Sequence, residues 1–298
     1  MKLKRLFKIL KKSYTALLEK NPLRMAAATA FFTTFALPPM LIILIQALSL
    51  FYSTKAVEKG VFAQLIDVLG KESSLSIYGT LNQFKSLAHN WLIIIAGFVF
   101  LLFVVTTLFT VVRKSVNEIW CIAVEQCLGI GFHLRLRLKS LIVIALAGLL
   151  LVVQLAASTL QGLLKNYIDE VWSDYNSLLY KVITQLIFLV IATVWFTVLF
   201  KYLANAHPDW RTAVTGGVFT GILFTFGKSI LGLLLTFSNL RTIFGASGSF
   251  VLILLFVFYS SFIFYYGAAF TIAWANANHK KMRMEAHTHS YTLERAKA

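Results

Sequence analysis

The chain alternates long apolar runs with short polar connections, most of them basic. Apolar runs at about 25–52, 91–112, 140–164, 182–202, 212–238 and 248–275 are each long enough to cross a hydrocarbon layer as a helix. They predict an all-α fold with six transmembrane helices. The first twenty residues follow another rule. Leu3, Leu6, Phe7, Leu10, Tyr14, Leu17 and Leu18 share one helical face, with Lys4, Arg5, Lys8, Lys11 and Lys12 around the rest. Such a basic amphipathic helix is expected to lie against anionic lipid headgroups. Between the first two spans, Val61, Phe62, Leu65, Ile66 and Leu69, then Leu75, Tyr78, Leu81 and Phe84, predict two short amphipathic helices. They would form a small helical extracytoplasmic cap. The chain thus divides into an interfacial helix at 1–20, a membrane domain at 21–275 and a polar tail at 276–298 that is expected to fray.

Composition agrees with this reading. The chain has 298 residues, of which 58% are apolar and 13% charged, and its mean hydropathy of +0.76 belongs to a polytopic membrane protein. The net charge of +16 would suggest nucleic acid in a soluble protein. Here its distribution explains it. With both termini inside, twenty Lys and Arg fall in the inner segments and seven in the outer ones. That asymmetry predicts a bacterial inner-membrane protein with both termini cytoplasmic. The first run stays free of charge from 25 to 54, much longer than the h-region of a cleavable signal, and is expected to remain as a helix. Cys121 and Cys127 have neither disulfide-framework nor zinc spacing, and six scattered histidines suggest no metal or cofactor.

One residue breaks the apolar pattern. Lys228 lies well inside the fifth span, roughly 22 Å along the helix, where a charge is costly and marks a candidate site. Gly217, Gly221, Thr225, Lys228 and Gly232 recur at helical spacing and form one stripe. Gly217 and Gly221 also make a small-residue motif that lets a neighbouring helix approach. The stripe should therefore face the bundle. All twelve acidic residues lie outside the spans, so no carboxylate within them can neutralise Lys228. Gln154, Gln185, Ser260 and Ser261 are the other polar groups at comparable depth, and could share a cavity with it or simply join helices. Pro38-Pro39, in the middle of the first span, predicts a kink or break.

Catalytic signatures are not found. The segment 221–229 has one residue too many between its glycines for a phosphate-binding loop and is not preceded by a strand. There is no H-E-x-x-H, no G-x-S-x-G and no acid pair within the spans, so an enzyme is not expected.

The order of several segments resembles the YihY/BrkB family of bacterial inner-membrane proteins, once mislabelled as ribonuclease BN. These segments are AAATAFFTTFALPPM in the first span, RKSVNEIW after the second, RLRLKS before the third, DWRTAVTGGVFTGILFTFGK into the fifth, and FGASGS then FYSSFIFYYGAAF around the sixth. Together they cover roughly residues 20–275. The resemblance implies a six-helix membrane fold without an agreed activity, with transport or export proposed for some members. Two positions depart from the family pattern. Ala269 stands where the family usually has a glutamate, and Ala204 where it usually has a proline, with Pro208 nearby. Without that glutamate, the resemblance carries no proton-coupling carboxylate over to this chain.

The resulting expectation is a transporter or exporter of a small solute or lipid-like molecule bearing an anionic group, bound by Lys228 and oriented by Gln154 and Gln185. The alternative is a structural or envelope-assembly factor that recruits partners through 53–90 and 113–140. The expected partners are the bilayer, anionic headgroups and the unknown solute, with no nucleic acid; self-association is compatible with either reading.

Overall fold

The computed structural model describes residues 2–49, 53–69, 71–87, 91–124, 176–237, 248–285 and 288–291. They are predominantly helical. In chain order the elements are α1 (Lys2–Leu18), α2 (Pro22–Ser49), α3 (Thr54–Leu69), α4 (Lys71–Leu87), α5 (Trp91–Ile119), β1 (Ile122–Val124), α6 (Asn176–Tyr202), β2 (Ala206–His207), α7 (Trp210–Phe237), α8 (Gly248–Ala277), β3 (Arg283–Met284) and β4 (Thr288–Ser290). Among the described residues, Val182–Tyr202, Trp210–Ile230 and Phe250–Ala277 are long and apolar enough to cross a membrane. The third expected span, at 140–164, lies outside the described residues.

The helices pack through small residues. α6 and α7 form an antiparallel hairpin in which Gly217 meets Thr193 and Thr197, and Gly221 meets Thr193. A Cβ at Gly221 would lie 2.8 Å from the Thr193 hydroxyl, and one at Gly217 equally close to the Thr193 carbonyl. This is the close approach that the glycine spacing predicts. α8 packs on α7 in the same way, with Gly216 against Thr271, Gly267 against Thr220 and Gly227 against Tyr259. The threonines at these contacts are satisfied within their own helices: Thr197 donates to the Thr193 carbonyl at 2.7 Å, Thr220 to Gly216 at 2.7 Å and Thr271 to Gly267 at 2.8 Å. A hydroxyl bonded one turn back leaves no open donor in an apolar layer.

The apolar core has two main centres. One lies towards the end that gathers both chain termini, where Phe196, Phe200, Phe264, Tyr265, Ala268 and Ala269 pack with Trp120, Leu17 and Met25. Trp120 Nε1 donates to the Ala268 carbonyl at 2.9 Å. Ala269, where the family resemblance would have a glutamate, is fully packed in this centre. At the opposite end, α3 and α4 form the expected two-helix cap on α2 and α8, burying Val57, Val61, Ile77 and Leu81 against Leu41, Ile45, Ile253 and Val257. The second cap helix is rotated from its expected face. Leu75 and Tyr78 are exposed, and Ser73, Ser74 and Ile77 turn inward.

α1 lies against the last turns of α8 through Ile9, Ser13 and Leu17, and Arg5 donates to the Ala277 carbonyl at 2.6 Å. Phe7, Tyr14 and Leu18 remain exposed. The tail does not fray where it is described. β3 pairs antiparallel with β2, and β4 with β1. Polar composition alone suggested a loose end, but Glu285 finds fixed partners on the helix ends, as set out below.

Candidate functional site

Lys228 sits half-buried on α7. Its Nζ lies 4.3 Å from the centroid of the Phe188 ring on α6, a cation–π distance. Phe188 is held by stacking on Phe224, with centroids 6.1 Å apart. One turn before Lys228, the Thr225 hydroxyl is buried and has no hydrogen-bond partner, while the Thr225 carbonyl accepts from Ser229 at 3.2 Å. Thr184, one turn before Phe188 on α6, has a buried unpartnered hydroxyl, as does Ser260 on α8, whose neighbour Tyr259 abuts Gly227. The three orphan hydroxyls thus lie on α6, α7 and α8, that of Thr225 one turn from the lysine. A buried hydroxyl without a partner costs about 1–3 kcal/mol.

A second polar centre lies at the terminal end, where α5, the α6–α7 connection and the tail meet. Arg113 is 7% exposed, and its Nε donates to the Leu203 carbonyl at 3.0 Å. Asn117 and Asn205 pair reciprocally: Asn117 Nδ2 donates to Asn205 Oδ1 at 2.8 Å, and Asn205 N–H donates to Asn117 Oδ1 at 3.1 Å. With its Oδ1 engaged, Asn205 turns its amide nitrogen outward and donates to Glu285 Oε2 at 3.2 Å. His207 Nε2 meets Glu285 Oε1 at 3.0 Å. Its Nδ1 lies 2.7 Å from the Lys201 carbonyl, which can only accept, so Nδ1 carries hydrogen. Nε2 can therefore donate to an ionised Glu285 only when the ring holds its second proton. Burial lowers the pKa of Arg113, and the charge of Glu285 opposes that shift. Among the described residues, no group of three or more His, Cys, Asp and Glu is placed to hold a metal ion.

Residues 13–291 match the model of the family described as virulence factor BrkB. The chain belongs to the BrkB family. It is similar to curated relatives called UPF0761 membrane protein. One from Pseudomonas aeruginosa is 27% identical over 249 residues, covering 82% of this chain and 57% of the relative. One from Idiomarina loihiensis is 25% identical over 217 residues, covering 72% and 71%. One from Kangiella koreensis is 25% identical over 276 residues, covering 92% and 64%. The chain thus spans little more than half the length of the Pseudomonas relative. No solved structure matches it.

In this BrkB-family membrane protein, the residues singled out from sequence fall into separate groups. Lys228 and Ser260 lie on adjoining helices, α7 and α8. Gly217 and Gly221 close the α6–α7 contact, and Gly232 lies further along α7. Ser261 is buried and donates to the Val257 carbonyl of its own helix at 2.7 Å. Gln185 is exposed on α6, one turn before Phe188. Gln154 lies outside the described residues. α2 runs through Pro38 and Pro39 as one helix, without a break. The Arg113–Asn205–His207–Glu285 centre escaped sequence reading, although its parts lie in segments already noted: RKSVNEIW, the short connection before the fifth span, and the tail. A buried arginine just past an apolar run was the available signal.

Proposed function

We propose that this chain is a six-span inner-membrane transporter or exporter for a small solute or lipid-like molecule with an anionic group. Both termini would be cytoplasmic. The supporting observation is Lys228, half-buried on α7 over the Phe188 ring, with a buried unpartnered hydroxyl one turn away at Thr225 and others at Thr184 and Ser260 on the two adjoining helices. A lysine attracts a carboxylate or phosphate, and unpartnered hydroxyls are donors that a guest can use in place of water. Gln154 is retained as an orienting residue from the third span. Gln185, exposed on α6, would act only after a rotation of that helix. The exposed lysines of α1, with Phe7 71% exposed beside them, suit anionic headgroups of the same membrane.

A structural or assembly role is the second reading, and a specific observation favours it. The Phe188 face gives Lys228 an internal seat that needs no ligand. Neither reading invokes catalysis. Flux of small organic anions and anionic lipids into and out of proteoliposomes separates them. Transport that disappears in Lys228→Met, with folding intact, supports the first; no flux in the parent, or equal flux in the variant, removes Lys228 from the mechanism.

A further inference from the structure

The tail contact at the terminal end has the organisation of a receptor and its ligand. Asn205 and His207, which meet Glu285, and Arg113, on which its charge acts, are each oriented by groups outside the tail. Arg113 is held by the Leu203 carbonyl, Asn205 by its reciprocal pair with Asn117, and His207 by the Lys201 carbonyl. Their geometry is thus set before the tail arrives. Arg113 is also a buried cation, and the charge of Glu285 favours its charged form.

The rest of the described tail is held by backbone pairing, by Met282, and by Tyr291, whose ring centroid lies 5.3 Å from Lys20 Nζ. Glu285 N–H donates to the Asn205 carbonyl at 3.0 Å, and Tyr291 N–H donates to the Cys121 carbonyl at 3.0 Å, at the ends of the two short strand pairs. Side chains on these strands point largely to solvent: Arg283, Met284, His289 and Ser290 are exposed. Met282 packs against the core. Backbone pairing at a strand edge accepts many sequences, whereas the carboxylate in the cradle is specific.

We propose that Arg113, Asn205 and His207 form a receptor for a carboxylate carried on an extended peptide, filled in cis by Glu285 of the chain's own tail. The tail then acts as a resident occupant that an acidic peptide from a partner protein, adding to the same strand edges, displaces. This proposal is independent of the transport reading.

The test uses the full chain in lipid nanodiscs, with Cys121 and Cys127 replaced by serine and a mobility probe on His289→Cys. Glu285→Gln is expected to free the probe. A fluorescent peptide of residues 282–291 is then added to the unlabelled parent and to the Glu285→Gln chain. It is expected to bind the variant about tenfold or more tightly than the same peptide with Gln at 285, as loss of one charge-assisted contact implies. It should bind the parent weakly, because the cis tail competes at high effective concentration. A probe as immobile in Glu285→Gln as in the parent would overturn the proposal. So would equal affinity of the two peptides for the variant, or no binding of either.

Discussion

Two cations, Arg113 buried and Lys228 half-buried, are accommodated in different ways. Arg113, at the helix end, is matched by a carbonyl and by the charge of Glu285, and its neighbours Asn117, Asn205 and His207 are all bonded. Lys228, within a helix, lies over an aromatic ring, and its own and the adjoining helices carry the buried, unpartnered hydroxyls of Thr184, Thr225 and Ser260. The first arrangement fixes three chain segments to one another. The second lies on helices that also carry buried hydroxyls without a partner, an arrangement on which the proposed binding role rests.

The comparison can be broken or sharpened by substitution, in order of expected effect. Arg113→Met should be the most damaging, destabilising by about 3–5 kcal/mol, because Glu285 loses its buried countercharge. A lowered thermal midpoint in nanodiscs would show it. Gly217→Val should cost about 1–3 kcal/mol by forcing α6 from α7, since the added carbons meet the Thr193 backbone. It would also carry Phe188 away from Lys228, and a cysteine pair across the two helices would cross-link more slowly. Glu285→Gln should cost about 1–2 kcal/mol, seen as faster protease cleavage at Lys280 and Lys281. Lys228→Met should leave stability within about 1 kcal/mol of the parent or raise it, while abolishing any anion flux. Phe188→Leu should be the mildest, at roughly 0.5–1 kcal/mol, with Lys228 retained but more readily labelled by amine reagents. Equal damage from Arg113→Met and Lys228→Met would erase the distinction between the two centres.

Much of the fold was legible in the sequence because it follows from local pattern. Gly217 and Gly221 announced a close helix contact, and Thr193 and Thr197 fill it. The apolar runs placed α2, α5, α6, α7 and α8, and alanine-rich α2 carried its double proline without interruption. Less visible was whatever depends on distant partners. Glu285 reads as a solvated tail residue until Asn205 and His207, some 80 positions earlier, come against it. α5 runs past its apolar stretch to Ile119 because Val116 and Asn117 find the core. Lys228 was conspicuous as a charge in an apolar run. Its hydroxyl neighbours were not, since most threonines and serines in such helices bond one turn back, and sequence does not reveal the few that fail to. Nor did depth along α6 reveal that Gln185 is exposed, because depth says nothing about which side a residue faces.

The most direct test of the central claim is the accessibility of position 228. With Cys121 and Cys127 replaced by serine and Lys228→Cys introduced, a charged, membrane-impermeant thiol reagent is applied from each side of oriented vesicles. Rapid labelling from either side, slowed by a bound organic anion, is the predicted result. Complete protection from both sides in a folded protein would make the Lys228 stretch a sealed packing contact and would contradict the account.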